Sequence, residues 1–240
     1  MLTEERKSQI RDNYLRVMEN IESAKAKRGG NAPVRLLAAT KTVPAEEILF
    51  AAEELGLSFA GENRTSELLE KYDALKDKLT LHLIGSLQTR KVKDIVGKVS
   101  LIESVDSVKL AAEIDKRSAA LGITSDILCE INIGKEESKG GVLPEEVPEF
   151  LEKLSEFRNI RTCGIMTMAP ICASDSEYRK FFTETYQIFI DIYCKKSHNI
   201  IEPVLSMGMS DSYVPAILEG ATQVRVGSSI FGGRIYQSKL

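Results

Sequence analysis

The chain has 240 residues, 43% of them apolar and 28% charged, a balance that suits a globular domain with ample core. Its net charge of −3 excludes a strongly basic nucleic-acid binder. No run reaches the about 18 apolar residues of a membrane span, and Met1-Leu2-Thr3-Glu4-Glu5 lacks the basic start and apolar centre of a signal peptide.

Residues 4–28 read as a helix, with Ile10, Tyr14, Val17, Met18 and Ile21 on one stripe and Arg28-Gly29-Gly30 as its stop. Short apolar runs then alternate with amphipathic segments. The runs predict strands at 34–40, 57–60, 81–84, 99–102, 126–133, 160–166, 203–206 and 222–226. The intervening segments predict helices near 44–55, 63–78, 88–97, 107–121, 144–157, 175–195 and 211–219. Strands and helices alternating every ~25 residues point to parallel βα units. The expected fold is therefore α/β, a (β/α)8 TIM barrel with an extra N-terminal helix, forming one domain over residues 1–240. A doubly wound sheet would need a glycine-rich turn after the first strand, where this chain has Lys41-Thr42-Val43-Pro44.

Four cysteines, Cys129, Cys163, Cys172 and Cys194, form no CxxC pair and suggest reduced thiols in the cytosol. With His82 and His198 alone, no multi-histidine metal site is expected.

In a barrel, function collects at the carboxyl ends of the strands. Lys41 ends the first apolar run, where an ammonium ion either snorkels to water or is held for chemistry. A lysine kept neutral by burial can form a Schiff base with a carbonyl compound, pyridoxal phosphate among them. The ends of the seventh and eighth strands, Ser206-Met207-Gly208 and Gly227-Ser228-Ser229, fall where barrel enzymes bind phosphate. The plainer reading of the second segment is a serine cap on a short helix. Arg225 lies within the eighth strand and points into the barrel if Val224 and Val226 face the helices. There it either faces a ligand, keeping a pyridine nitrogen unprotonated, or pairs with a carboxylate such as Glu130. His82 reads as a hydrogen-bonded core residue, Asn63 as a helix cap, and the charges from Lys71 to Lys78 as a wet helix face. The polar, glycine-ended loop 132–141 could cover the barrel mouth.

The segments AATKTVPAEEI at 38–48, GEN at 61–63, HLIGSLQ at 82–88, INIGKEESKGG at 131–141, GIMTMAP at 164–170 and SMGMSDSYVPAILEGATQVRVGSSIFGGR at 206–234 run in order along nearly the whole chain. They resemble the pyridoxal phosphate homeostasis proteins of the YggS/PROSC type, whose fold is similar to the barrel domain of alanine racemase. The resemblance implies that Lys41 is the Schiff-base lysine. It places Ser206, Gly227 and Ser228 on the phosphate and Arg225 opposite the pyridine nitrogen. Asn63 and Met207 would line the cofactor. Thr65-Ser66, Arg90 and Ser212 depart from the residues usual in that family, which touches loop details rather than binding.

A racemase of this type takes its second base from a separate β domain, and this chain ends at Leu240, just past the barrel. Losing one positioned acid or base removes about 10²–10⁴ in rate, so weak turnover at most is expected. The implied role is a cytoplasmic, monomeric carrier of pyridoxal phosphate in vitamin B6 and amino or keto acid homeostasis. Amino acids and pyridoxal-phosphate-dependent apoenzymes are conceivable partners. A monomeric racemase using solvent as its second base and a Schiff-base aldolase are the alternatives.

Overall fold

The computed structural model describes residues 2–29, 32–193 and 203–233. Cys194, His198 and the last two residues of the helix predicted at 175–195 lie outside them. The extra N-terminal helix is present as α1 (Glu4–Arg28). Thr3 caps it by accepting the Arg6 N–H, Glu4 and Glu5 occupy its first turn, and Lys25, Lys27 and Arg28 occupy its last. Both charge placements suit the helix dipole. Its buried stripe is Ile10, Tyr14, Val17, Ile21 and Ala24.

Eight parallel strands follow: β1 (Arg35–Ala39), β2 (Phe59–Glu62), β3 (Thr80–Leu83), β4 (Leu101–Val105), β5 (Ser125–Ile131), β6 (Ile160–Thr167), β7 (Val204–Ser206) and β8 (Gln223–Val226). They pair in chain order, and β8 closes on β1 with Leu37 opposite Arg225. Around them run α2 (Ala45–Leu55), α3 (Thr65–Leu75), α4 (Val92–Ile95), α5 (Val108–Leu121), α6 (Val147–Leu154), α7 (Asp175–Tyr193), α8 (Tyr213–Leu218) and α9 (Ser228–Phe231). The architecture is the expected TIM barrel.

Two strands depart from their predicted bounds: β4 runs Leu101–Val105 rather than 99–102, and β2 starts at Phe59 rather than 57. Gly56 turns the chain left-handed at the end of α2, with φ 77°, and Leu57 is buried in that turn before the strand begins. Gly61 and Glu62 are thereby drawn into the strand. The segments near 88–97 and 144–157 each open with a 3₁₀ turn and yield shorter helices than their periodicity predicts.

Strand side chains alternate between two environments. One set, including Leu83, Ile102, Ile127, Ile165, Leu205 and Val224, joins the apolar layer under the helices. The other set fills the barrel in two zones. Leu101, Leu128 and Met166 form an apolar plug. His82, Glu103, Ser206, Gln223 and Arg225 form a hydrogen-bonded polar network. That network lies below the end of the barrel where the functional side chains collect.

Candidate functional site

A cleft of about 820 Å3 opens at the carboxyl end of the barrel, within the range of about 300–1,000 Å3 usual for small-molecule sites. Lys41, Asn63, Arg225, Gly227 and Ser228 all line it. Five residues from three separate stretches of chain thus meet in one place.

Arg225 comes from the middle of β8, is only 3% exposed, and contributes to the cleft wall. Its Nη1 donates to Ser206 Oγ at 2.7 Å and its Nη2 to the Thr167 carbonyl at 2.8 Å. Both of these bonds go to neutral acceptors rather than to the carboxylate of Glu130. Burial lowers its pKa, opposed by the charges of Glu103 and Glu130. Glu103, fully buried, accepts from Ser206 Oγ at 2.6 Å and Gln223 Nε2 at 2.7 Å, with His82 Nδ1 at 2.7 Å. Burial pushes the Glu103 carboxyl upward, yet His82, Arg225 and Ser206 together hold it below the ordinary value. An ionised Glu103 only accepts, so the imidazole proton sits on Nδ1. His82 is therefore the hydrogen-bonded core residue that the sequence suggests. Glu130 at the end of β5 behaves oppositely. Burial and the nearby Asp106 raise its pKa to about 7, and Arg225 only partly offsets them.

Ser206 and Met207 do not reach the cleft. Both are fully buried, and Ser206 spends its hydroxyl on Glu103 and Arg225. In the SMGMS segment the serine that lines the cleft is Ser210, four residues on, carried around the turn at Gly208 (φ 91°). Its Oγ accepts the Gly227 N–H at 3.2 Å and the Ser229 N–H at 3.4 Å. Two backbone amides thus converge on one oxygen at the start of α9, an arrangement that would suit an anionic oxygen in place of the Ser210 hydroxyl. Gly227 is required there because a Cβ would lie 2.5 Å from the Ala39 carbonyl oxygen on β1. The SMGMS segment offers two serines, and its pattern alone does not distinguish Ser210 from Ser206. Glu103 falls one residue past the run predicted at 99–102, and only the observed strand Leu101–Val105 shows it to be a carboxylate inside a strand.

Asn63 lines the cleft but does not cap α3; Arg64 holds the cap position, and no side chain accepts there. Its backbone is instead pressed against β3's exit, where a Cβ on Gly85 would meet Asn63 O at 2.2 Å. Loop 132–141 does not line the cleft. Asn132 folds it back on itself, with Nδ2 donating to Glu136 O at 2.9 Å and Oδ1 accepting the Glu136 N–H at 3.1 Å. The wet face predicted from Lys71 to Lys78 is also corrected at one position. Lys71 is buried against Glu62, while Asp73, Lys76 and Lys78 stay exposed. Among the described residues no His/Cys/Asp/Glu cluster could hold a metal ion, and no helix is long and apolar enough to cross a membrane.

The α1 helix reaches this end of the barrel too. Arg6 donates to both Glu47 carboxylate oxygens, at 3.0 and 2.6 Å, and to the Phe231 carbonyl at 2.7 Å. Asn13 donates to the Ile230 carbonyl at 3.1 Å. The helix behind the amide cradle is thus braced to α2 through α1.

A closed eight-stranded parallel barrel with a lysine, an arginine and an amide cradle in one terminal cleft defines a small-molecule-binding barrel protein. The chain belongs to the family described as alanine racemase, N-terminal domain, whose model matches residues 13–235. It is 44% identical to the pyridoxal phosphate homeostasis protein of Aquifex aeolicus, over 92% of this chain and 96% of that one. A crystal structure from Bifidobacterium adolescentis is 34% identical and superposes with a TM-score of 0.90, covering 96% of this chain and 98% of that one. PipY of Synechococcus elongatus, with PLP bound, is 30% identical with a TM-score of 0.76, covering 89% and 99%.

Proposed function

We propose that the protein binds pyridoxal 5′-phosphate, held covalently by Lys41, and serves vitamin B6 and amino or keto acid homeostasis without robust catalytic turnover. The names of its relatives and the cofactor bound in PipY support the cofactor and the homeostasis role. The observation that carries the reading is the single cleft shared by Lys41, Arg225 and the Gly227–Ser229 cradle.

The residues fit the cofactor chemically. The Gly227 and Ser229 N–H groups, which a phosphate would take over from Ser210 Oγ, and the hydroxyls of Ser210 and Ser228 would serve as its donors. Lys41 supplies the amine that condenses with an aldehyde and releases one water. Arg225 is the partner for the pyridine nitrogen, and as a donor it leaves that nitrogen unprotonated. When bound, pyridoxal phosphate supplies an electron sink for bonds to an amino-acid α carbon, a weaker one beside arginine than beside a carboxylate. Glu103 orients the group indirectly: it accepts the hydrogen bond from the Ser206 O–H, so a Ser206 lone pair faces Arg225. Supply of the cofactor to apoenzymes, and action as a monomer, belong to the same proposal.

The test is the visible spectrum of the protein and its Lys41→Ala variant after adding pyridoxal phosphate and removing unbound ligand by gel filtration. Yellow wild type and colourless variant are expected. Absence of colour in both would sink the reading.

A further inference from the structure

The backbone on both sides of Lys41 is held from one helix. Glu67 and Lys71 stand four residues apart on α3, so their side chains share a face. Lys71 Nζ donates to the Thr40 carbonyl at 2.9 Å and to Glu62 Oε1 at 2.8 Å. Glu67 Oε2 accepts the Thr42 N–H at 2.8 Å. Thr40 Oγ1 donates to Glu62 Oε1 at 2.8 Å, and Thr42 Oγ1 donates to the Lys41 carbonyl at 2.6 Å. Residues 40 and 42 are therefore both fixed, by groups that lie outside the cleft lining.

Two features make this more than packing. Thr42 has φ 63°, in the left-handed region that β-branched residues avoid, so something must hold it there. Lys71 is only 9% exposed, at a position where an apolar side chain would fill the space without desolvating a charge. Glu62, its partner, is 2% exposed. The pair places a cation under the Thr40 carbonyl, immediately before Lys41.

We propose that Glu62, Glu67 and Lys71 are positioning residues that set the direction in which Lys41 enters the cleft. The inference rests on the reading of Lys41 as the attachment point. The anionic end of the ligand is located by β7, β8 and α9, on other parts of the barrel rim. The amine must then meet the aldehyde at a place fixed independently. A lysine has a long flexible stem, so the orientation of its backbone decides how often its tip arrives there. None of the three residues touches the ligand; they act through Thr40 and Thr42.

The experiment compares pyridoxal 5′-phosphate with pyridoxine 5′-phosphate, whose alcohol cannot condense with an amine, on wild type, Glu67→Ala and Glu67→Gln. Glu67 is the member chosen because its side chain is 18% exposed, so its loss spares the buried pair. Glu67→Ala is expected to weaken pyridoxal phosphate binding by about tenfold or more, because small misplacements of reacting groups are costly. Its affinity for pyridoxine phosphate should stay within about twofold of wild type, since the cradle is untouched. Glu67→Gln keeps an acceptor for the Thr42 N–H and should restore most of the loss. Equal losses for both ligands, no loss for either, or no rescue by glutamine would overturn the clamp. If wild type itself binds both ligands equally well, the attachment reading fails first and the clamp falls with it.

Discussion

Alanine in place of Gly227 tests the cradle and the β1–β8 seam together. Gly227 has φ −124°, a value open to any residue, so the substitution brings contact rather than backbone strain. The new Cβ would lie 2.5 Å from Ala39 O and 3.2 Å from Ala39 Cβ. Ala39 O belongs to backbone, and no rotamer change can relieve the overlap. Relief requires β8 to move away from β1 two residues before Lys41. Overpacking of this kind costs about 1–3 kcal/mol. Urea unfolding of the ligand-free protein should show that loss as a lower midpoint with an unchanged slope. Pyridoxal phosphate titration should show a further drop in affinity of about tenfold, or ~1.4 kcal/mol. Gly233→Ala, whose Cβ meets nothing within 4 Å, is the matched control. Wild-type stability and affinity in Gly227→Ala would refute the close approach and the cradle built on it.

Three further outcomes follow from the buried charges. The folded protein keeps Glu130 protonated up to about pH 7 while the unfolded chain releases that proton near 4.5, so this residue's contribution to stability falls as pH rises between those values. Relative to wild type, Glu130→Gln should therefore gain about 3 kcal/mol between those two pH values, measured by denaturant unfolding across the window; a constant difference would refute the shift. Glu103→Gln removes the carboxylate facing Arg225 and should lower stability by about 3–5 kcal/mol; a loss below about 1 kcal/mol would show that the network does not depend on charge. Lys71→Met leaves Glu62 buried without its cation and should cost a similar ~3–5 kcal/mol near neutrality, largely recovered in the double variant with Glu62→Gln; failure of the second change to recover stability would contradict the pairing.

Most of the fold was legible because each βα unit carries its own periodicity, and the apolar runs alternate too regularly for another arrangement. The error at β2 arose from Leu57, an apolar residue used to plug a turn rather than to begin a strand. Lys41, Arg225 and Gly227, which line the cleft, stand out in the sequence because each breaks a local rule: a charge at the exit of an apolar run, a charge within one, a glycine between strand and helix. Ser206 was misplaced because sequence gives its strand but not its layer. It lies one layer below the rim, and the turn at Gly208 hands its expected place to Ser210. Lys71 looked like one of several solvated helix charges, and only the packing of α3 on Thr40 shows that it is buried. Pairings between distant segments, such as Glu103 with Ser206 or Arg6 with Phe231, leave no mark in local pattern at all.

Attachment at Lys41 is the central claim, and one measurement reaches it directly: borohydride reduction of the protein with bound pyridoxal phosphate, followed by peptide mapping of the modified lysine. The account predicts stoichiometric label on the peptide carrying Lys41 and none on those carrying Lys71, Lys135 or Lys139. Label on another lysine in the wild-type protein, or undiminished specific label in Lys41→Ala, would contradict it.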